Sequence, residues 1–98
     1  RPKMILGIVV GTITSSSISI DIQGGRYLLV NKCDQKGKLK DDFLIALDII
    51  GVGKEEMVMI SESTSARETP ETKNQAIDAV IVGIIDMIDE NDKVIYKK

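Results

Sequence analysis

The segment AIDAVIVGIIDMI, residues 76–88 (Ala76 to Ile88), decides the fold class because its composition indicates a long β-strand. Isoleucine and valine dominate it, and such β-branched residues favour strands. Successive strand side chains point to opposite faces, so the odd-numbered residues share one face, and all of them suit a core. The even-numbered face has an apolar centre of Val80, Val82 and Ile84, with an aspartate near each end. An apolar centre within a charged rim is typical of subunit interfaces, so this face predicts an oligomer.

Further short runs rich in isoleucine and valine recur along the chain between turn residues. We predict strands over residues 4–14, 17–22, 26–33, 43–50, 56–61, 76–88 and 93–96. Asp34–Lys38 is expected to form a hairpin turn, and Ser63–Glu68 a single short helical turn. Strands at this spacing with little helix predict a mainly β fold, either a small antiparallel barrel or a sandwich.

The composition indicates a single domain spanning residues 1–98, with 43% hydrophobic and 29% charged residues. The sequence is compatible with a natural start at Met4, which makes residues 1–3 a possible non-native leader, and residues 90–98 are interpreted as a charged C-terminal tail. The formal net charge of −2 provides no basic field for nucleic acid or an anionic membrane. Runs without a polar residue, such as 79–85, are far shorter than the roughly 20 residues of a membrane helix. Because the one cysteine, Cys33, cannot form an internal disulfide, we expect a cytoplasmic protein.

The glycine pair in the loop 51–55 raises the question of phosphate binding. The P-loop pattern G-x-x-x-x-G-K-[ST] holds phosphates and magnesium with backbone N–H groups and a hydroxyl. If Gly53 and Lys54 provide its "GK", Asp48 occupies the position of the first glycine and Glu55 that of the hydroxyl residue. Both would place a carboxylate against the phosphates, so the sequence argues against nucleotide binding.

Other catalytic chemistry also lacks support in the sequence. The chain has no histidine, which is the commonest general base and metal ligand. Cys33 therefore has no histidine partner to activate it, and we interpret it as a half-buried strand residue. Asp48, Asp78 and Asp86 could in principle pair or bind magnesium, but long apolar strands separate them. We predict a protein that is not an enzyme and that holds no cofactor or metal.

Four segments together resemble a known family, the bacterial microcompartment vertex proteins of the EutN/CcmL family. They are MILGIVVGT (4–12), GRYLLV (25–30), IALDIIGVGKEEMVMISESTSAR (45–67) and AIDAVIVGIIDMID (76–89). In this order they match the family's strand ending in GT, its L-L-V strand, its glycine-rich V-D segment, its S-x-x-A-R turn and its final V-D strand. Val52 stands where the family has alanine between the glycines, and Glu55 stands where it has a third glycine.

The resemblance implies a five-stranded antiparallel barrel similar to the OB-fold and a structural role. It implies a cyclic homopentamer at the corners of a polyhedral protein shell that is otherwise tiled by hexamers, so the partners would be further copies of this chain and hexameric shell proteins. It places a loop of small residues near the ring axis, namely Gly51, Val52, Gly53 and Lys54. It places Ser65 and Arg67 at the subunit contact, where the guanidinium could donate to a neighbour's carboxylate or carbonyls.

Two alternatives to a shell protein remain open at this point. An OB-like barrel can bind single-stranded nucleic acid, but it does so with stacking aromatic residues in a basic groove. This chain has only three aromatic residues, Tyr27, Phe43 and Tyr96, and an acidic balance. The other alternative is an oligomeric binding module without a shell role.

Overall fold

The computed structural model describes residues 3–14, 26–62 and 79–98, which form a mainly β domain. No helix occurs within these ranges, and so none that is long and apolar enough to cross a membrane. The strands are β1 (Lys3–Thr12), β2 (Arg26–Cys33), β3 (Leu39–Asp48), β4 (Met57–Glu62), β5 (Val80–Ile84), β6 (Met87–Glu90) and β7 (Lys93–Lys97). The predicted strand 17–22 and the predicted helical turn Ser63–Glu68 lie outside the described residues.

Strands β1 to β5 close into a small barrel in the order β1-β2-β3-β5-β4, which confirms the predicted five-stranded, OB-like architecture. Four of the five neighbouring pairs are antiparallel. The prediction of a wholly antiparallel barrel is wrong for β3 and β5, which pair in parallel through Leu47 and Val80. The connection from β2 to β3 is the predicted hairpin turn, in which Asp34 Oδ1 accepts the backbone N–H groups of Lys36 and Lys38 at 2.9 Å each.

The barrel core is built from the inward-facing residues of all five strands. Cross-strand registers align Ile5 with Ile60 and Ile60 with Ile81, so one layer of the core consists of isoleucines from β1, β4 and β5. In the next layer a side chain at Gly7 would collide with Cγ1 of Val30. Glycine is therefore required where the narrow barrel brings β1 and β2 together.

The predicted strand 76–88 is divided into β5 and β6, with Ile85 and Asp86 between them, and residues 76–78 lie outside the described part of the chain. The alternation of faces also changes within β5. Ile81 pairs with Ile60 and Gly83 with Met59, so Val82 is an extra residue that has no partner on β4. This arrangement is a β-bulge, and it shifts the phase of the side chains that follow.

The bulge corrects the expectation for Ile84, one of the three residues assigned to the even-numbered, outward face. Ile81 is 1% exposed and Val82 is 46% exposed, as the alternation predicts. Beyond the bulge, Ile84 pairs with the buried Val58 and packs against the core. Its side chain therefore lies on the inner face of the barrel.

The segment 90–98, interpreted from the sequence as a charged tail, contributes to an ordered hairpin of β6 and β7. The ring of Tyr96 lies over the β2–β3 turn, where its Cδ1 is 3.2 Å from the position that a Cβ of Gly37 would occupy. Nε2 of Gln35 in the same turn donates to Oε1 of Glu90 at 3.3 Å. An isolated two-stranded hairpin is at best marginally stable, so these contacts with the barrel are needed to hold it.

Candidate functional site

Asp48, at the C-terminal end of β3, organises the loop that follows this strand. Its side chain is buried, and Oδ1 accepts the backbone N–H groups of Ile50 at 2.9 Å and Gly51 at 3.0 Å. Oδ2 accepts the N–H of Val52 at 2.8 Å. The chain thus turns around one carboxylate, which fixes the path of residues 49–52.

Arg26 on β2 completes the cluster from the neighbouring strand. The β2–β3 register places Arg26 opposite Asp48, and its Nε donates to Oδ2 of Asp48 at 3.2 Å. Its Nη2 donates to the carbonyl oxygen of Val52. The guanidinium presents several donors in a rigid, planar arrangement, so one side chain stabilises both the carboxylate and the loop backbone.

The electrostatics of this cluster keep Asp48 ionised. Burial acts to raise the pKa of its carboxyl, but the N–H groups of Ile50, Val52 and Gly51 and the Arg26 guanidinium outweigh burial and lower the pKa below its ordinary value. An ionised carboxylate accepts hydrogen bonds on both oxygens, as this loop requires. The charge of Asp48 is therefore part of the loop architecture.

The residues of the loop 51–54 divide into one buried side chain and an exposed remainder. Gly51 has φ +85°, a backbone conformation that favours glycine. Val52 is 1% exposed and belongs to the barrel core. Gly53 donates its N–H to Oε1 of Glu56 at 2.7 Å. The loop thus inserts one side chain into the barrel and presents Gly51, Gly53 and Lys54 to the exterior.

The same hydrogen bonds decide the question of phosphate binding. A phosphate cradle needs backbone N–H groups that point towards the ligand. Here the N–H groups of Ile50, Gly51 and Val52 point to Asp48, and that of Gly53 points to Glu56. These N–H groups are therefore already bonded to carboxylates of the chain and do not point outwards to a phosphate. Within residues 3–14, 26–62 and 79–98, no group of three or more acidic, histidine or cysteine side chains is positioned to hold a metal ion.

Glu56 joins the loop to the C-terminal hairpin. Its Oε2 lies 2.5 Å from Nζ of Lys98, while its other oxygen accepts the N–H of Gly53. Lys98 and the Gly53 N–H lower the pKa of the Glu56 carboxyl, and Glu56 raises the pKa of Lys98. Both side chains contact solvent, so this pair positions the hairpin without contributing much stability.

A second candidate site is the apolar outer surface of β1, β4 and β5. The registers align Met4, Ser61 and Val80 in one row, and Leu6, Met59 and Gly83 in the next. Val82, at the bulge between the rows, is exposed, and so is Met4. We call this surface the Val82 face; it comprises Met4, Leu6, Met59, Ser61, Val80 and Val82.

The structure thus separates the residues that the sequence grouped as candidate sites. The exposed part of the loop 51–54 lies between β3 and β4, whereas Val80 and Val82 lie on β5, in the Val82 face. Ser65 and Arg67 lie outside the described residues. Sequence reasoning missed the cluster of Arg26 and Asp48. One signal was available for Asp48: an aspartate at the end of a strand often accepts the backbone N–H of the residue two positions later, which is an Asx-turn.

The closed five-stranded β-barrel, with a loop whose backbone amides bond to Asp48, defines a small OB-like domain. The family model described as "Ethanolamine utilisation protein EutN/carboxysome" matches residues 4–86, and the chain belongs to this EutN/CcmL family. The carboxysome shell vertex protein CcmL of Gloeobacter violaceus is 32% identical over 95 residues, which cover 97% of this chain and 95% of CcmL.

Solved structures of related proteins agree with this assignment. The structure of Gloeobacter violaceus CcmL superposes with a TM-score of 0.77 and 31% identity, covering 96% of this chain and 97% of that one. The GrpN pentameric microcompartment shell protein from Rhodospirillum rubrum superposes with a TM-score of 0.70 and 31% identity, covering 88% and 99% of the two chains. These similarities extend over nearly the whole domain and therefore concern the complete fold.

Proposed function

We propose that this chain is a structural shell protein that forms cyclic homopentamers and closes the vertices of a bacterial microcompartment in the cytoplasm. The observation that carries the proposal is the match, over nearly the whole chain, to proteins named as shell vertex proteins, of which GrpN has a pentameric structure. A ring of five copies introduces curvature into a lattice of hexamers. Hexameric shell proteins are therefore the second partner that we propose.

The Val82 face supports self-association. A cyclic ring needs a heterologous interface, in which one surface of each copy meets a different surface of the next. Val80 and Val82 belong to an apolar surface with Asp86 nearby in the chain, an arrangement that suits an interface core with a polar rim. We keep Val80 and Val82 as interface residues and propose Ser65 and Arg67 as further contacts with the neighbouring copy.

The loop 51–54 suits a position at the ring axis. Gly51 and Gly53 present little bulk, and the Asp48 cluster holds the loop in one conformation. Five copies could therefore approach one another closely without rearrangement of the backbone. In this arrangement Val52 stays in the core of its own barrel, and Gly51, Gly53 and Lys54 line the axis.

We also propose that the protein is not an enzyme and needs no cofactor or metal for this role. The loop that most resembles a ligand-binding element uses its N–H groups internally. An acidic chain with three aromatic residues also offers little to single-stranded nucleic acid, which is the function of many other OB-like barrels.

The proposal is tested by the mass of the native protein and by co-production with hexameric shell proteins. Native mass spectrometry should give five copies at micromolar concentration. With hexameric shell proteins, the parent chain should yield closed particles, whereas the variant Val82→Asp should leave open or elongated assemblies. The variant Val94→Asp is the matched control, because Val94 is similarly exposed but lies on the C-terminal hairpin. A monomeric parent chain, or closed particles formed equally well without it, would contradict the proposed function.

A further inference from the structure

Two carboxylates from different parts of the chain hold the loop 51–54. Asp48 is buried, and its Oδ1 accepts the N–H of Gly51 at 3.0 Å. Glu56 is only partly buried, and its Oε1 accepts the N–H of Gly53 at 2.7 Å. The two glycines of the loop therefore depend on different supports, and a change at one carboxylate need not reach the other glycine.

The backbone at Glu56 is fixed to β1, whereas its carboxylate reaches beyond these bonds to the C-terminal hairpin. Val9 on β1 donates its N–H to the carbonyl oxygen of Glu56 at 3.1 Å and accepts the N–H of Glu55 at 2.8 Å. Nζ of Lys98, the residue after β7, lies 2.5 Å from Oε2 of Glu56. One oxygen of this carboxylate thus holds the loop, while the other is held by the end of the hairpin.

Lys98 reaches Glu56 because the hairpin is docked on the barrel. The backbone N–H of Lys98 donates to the carbonyl oxygen of Asp86 at 2.9 Å, which joins the end of the hairpin to the chain at its start. The ring of Tyr96 and Cε of Met57 converge on the turn at Gly37, where they lie 3.2 and 3.6 Å from the position that a Cβ would occupy. Met57 is fully buried although it lies outside the cluster of side chains that fills the barrel. The hairpin therefore has an apolar contact that is separate from the barrel core.

We propose that docking of the C-terminal hairpin fixes the Gly53 half of the loop, with Lys98 and Glu56 as the positioning residues. Lys98 holds the Glu56 carboxylate, and this carboxylate holds the Gly53 N–H. A hairpin that leaves the barrel withdraws the lysine and frees the carboxylate to turn away from the loop. The hairpin and this half of the loop are thus coupled within a single chain. If the loop lines the ring axis, which rests on the proposed function, the hairpin sets the position of Lys54 there.

The coupling is local and modest in size. The side chain of Lys98 is 50% exposed, and an ion pair in contact with water changes an equilibrium only slightly. Amide hydrogen exchange detects such a change, because an exposed loop exchanges through local opening and not through unfolding of the barrel. Losing Lys98 should therefore speed up the exchange of the Gly53 N–H roughly 1.5- to 5-fold, which is the range expected for an exposed ion pair.

The test is amide hydrogen exchange, measured residue by residue by NMR on the isotope-labelled protein. Lys98→Ala should speed up exchange at Gly53 and leave the rate at Gly51 unchanged, because Asp48 holds Gly51. Lys98→Arg keeps the charge and the donors, so it should restore the parent rate at Gly53. Lys97→Ala is the matched control, because Lys97 lies on β7 beside Lys98 and forms no ion pair in the described part of the chain.

Tyr96→Ala tests the same coupling through the apolar contact, without changing a charge. It should also speed up exchange at Gly53, because it weakens the docking of the hairpin on the turn at Gly37. Adding Lys98→Ala to this variant should then have a smaller effect than in the parent, since the lysine already spends less time at Glu56. Circular dichroism shows whether the barrel is intact in each variant.

The possible outcomes separate the coupling from the proposed function. If Gly53 exchanges equally fast in the parent and in Lys98→Ala, Glu56 holds the loop alone and the coupling is overturned. An equal increase at Gly51 and Gly53 would also overturn it, because it indicates loosening of the whole loop. A monomeric parent chain would refute the proposed function, and the exchange rates would still decide the coupling.

Discussion

Replacing Asp48 by asparagine should destabilise the protein more than its conservative chemistry suggests. The carboxylate accepts two N–H groups on Oδ1, and the Val52 N–H and the Arg26 guanidinium on Oδ2. An asparagine has one oxygen and one NH2 group. In its better orientation the oxygen keeps the contacts with Ile50 and Gly51, and the NH2 group faces the two donors that Oδ2 accepted.

The expected cost of Asp48→Asn follows from these two lost contacts. The N–H of Val52 lies in a buried position, and a buried donor without an acceptor costs about 1–3 kcal/mol. The ion pair with Arg26 contributes less, about 0.2–1 kcal/mol, because the arginine side chain is 49% exposed. The sum of about 1–4 kcal/mol should lower the melting temperature by roughly 5–30 °C in a domain of this size.

Asp34→Asn is the matched control, and thermal unfolding by circular dichroism is the assay. Asp34 also accepts two backbone N–H groups, but these lie in the exposed β2–β3 turn, where water can replace the carboxylate. We expect a clearly smaller loss in melting temperature for this variant. If Asp48→Asn melts no earlier than Asp34→Asn, the carboxylate is not what holds the loop, and the reasoning from the buried cluster is wrong.

Four further predictions concern the pH dependence of stability, the loop glycines, the two faces of β5 and the proposed contact of Arg67. The folded state lowers the pKa of Asp48 below its ordinary value of 3.8. The ionised carboxylate therefore stabilises the fold fully above pH 3.8, and this contribution is lost as the pH falls through the pKa of Asp48 in the folded state. Acid should thus lower the melting temperature more for the parent than for Asp48→Asn. Gly51→Ala should cost about 1–2 kcal/mol because it forces a left-handed conformation on alanine, whereas Gly53→Ala should cost less; equal melting temperatures would contradict this. Ile81→Asp should unfold the barrel and Val82→Asp should leave a folded monomer, which circular dichroism and light scattering distinguish. Arg67→Ala should weaken the ring by about 2–5 kcal/mol, and overlapping dilution profiles of variant and parent would show that Arg67 is not at the interface.

The sequence predicted the strands best where turn residues bound them on both sides. β2 was predicted over residues 26–33 and has these bounds, since glycines precede it and the turn Asp34–Lys38 follows it. The segment 76–88 was predicted as one strand because its apolar residues continue across Ile85 and Asp86. The division into β5 and β6 depends on pairing with β4, and pairing partners far apart in sequence are not visible in local composition.

The candidate loop shows a similar limit. The sequence was sufficient to reject a phosphate cradle at Gly53 and Lys54, because carboxylates occupy two of its positions. It did not indicate that Asp48 accepts three backbone N–H groups, or that Arg26 reaches the same carboxylate from β2. These contacts depend on the register between β2 and β3, which brings together residues 22 positions apart.

The bulge at Val82 links the stability of the barrel to its association. In a regular strand, alternation would turn Ile84 outwards with Val80 and Val82 and remove an isoleucine from the core layer of Gly7 and Val58. The extra residue avoids this loss, because it returns Ile84 to the core while Val82 remains outside. All five residues of β5 are apolar or glycine, so composition alone does not distinguish its inner face from its outer face. The bulge does so, and the barrel keeps a complete core. Deleting Val82 would leave Ile81 and Gly83 as neighbours, opposite Ile60 and Met59, so it would remove an exposed side chain without leaving a hole in the inner layer. This is the change that should most directly separate folding of the barrel from assembly of the ring.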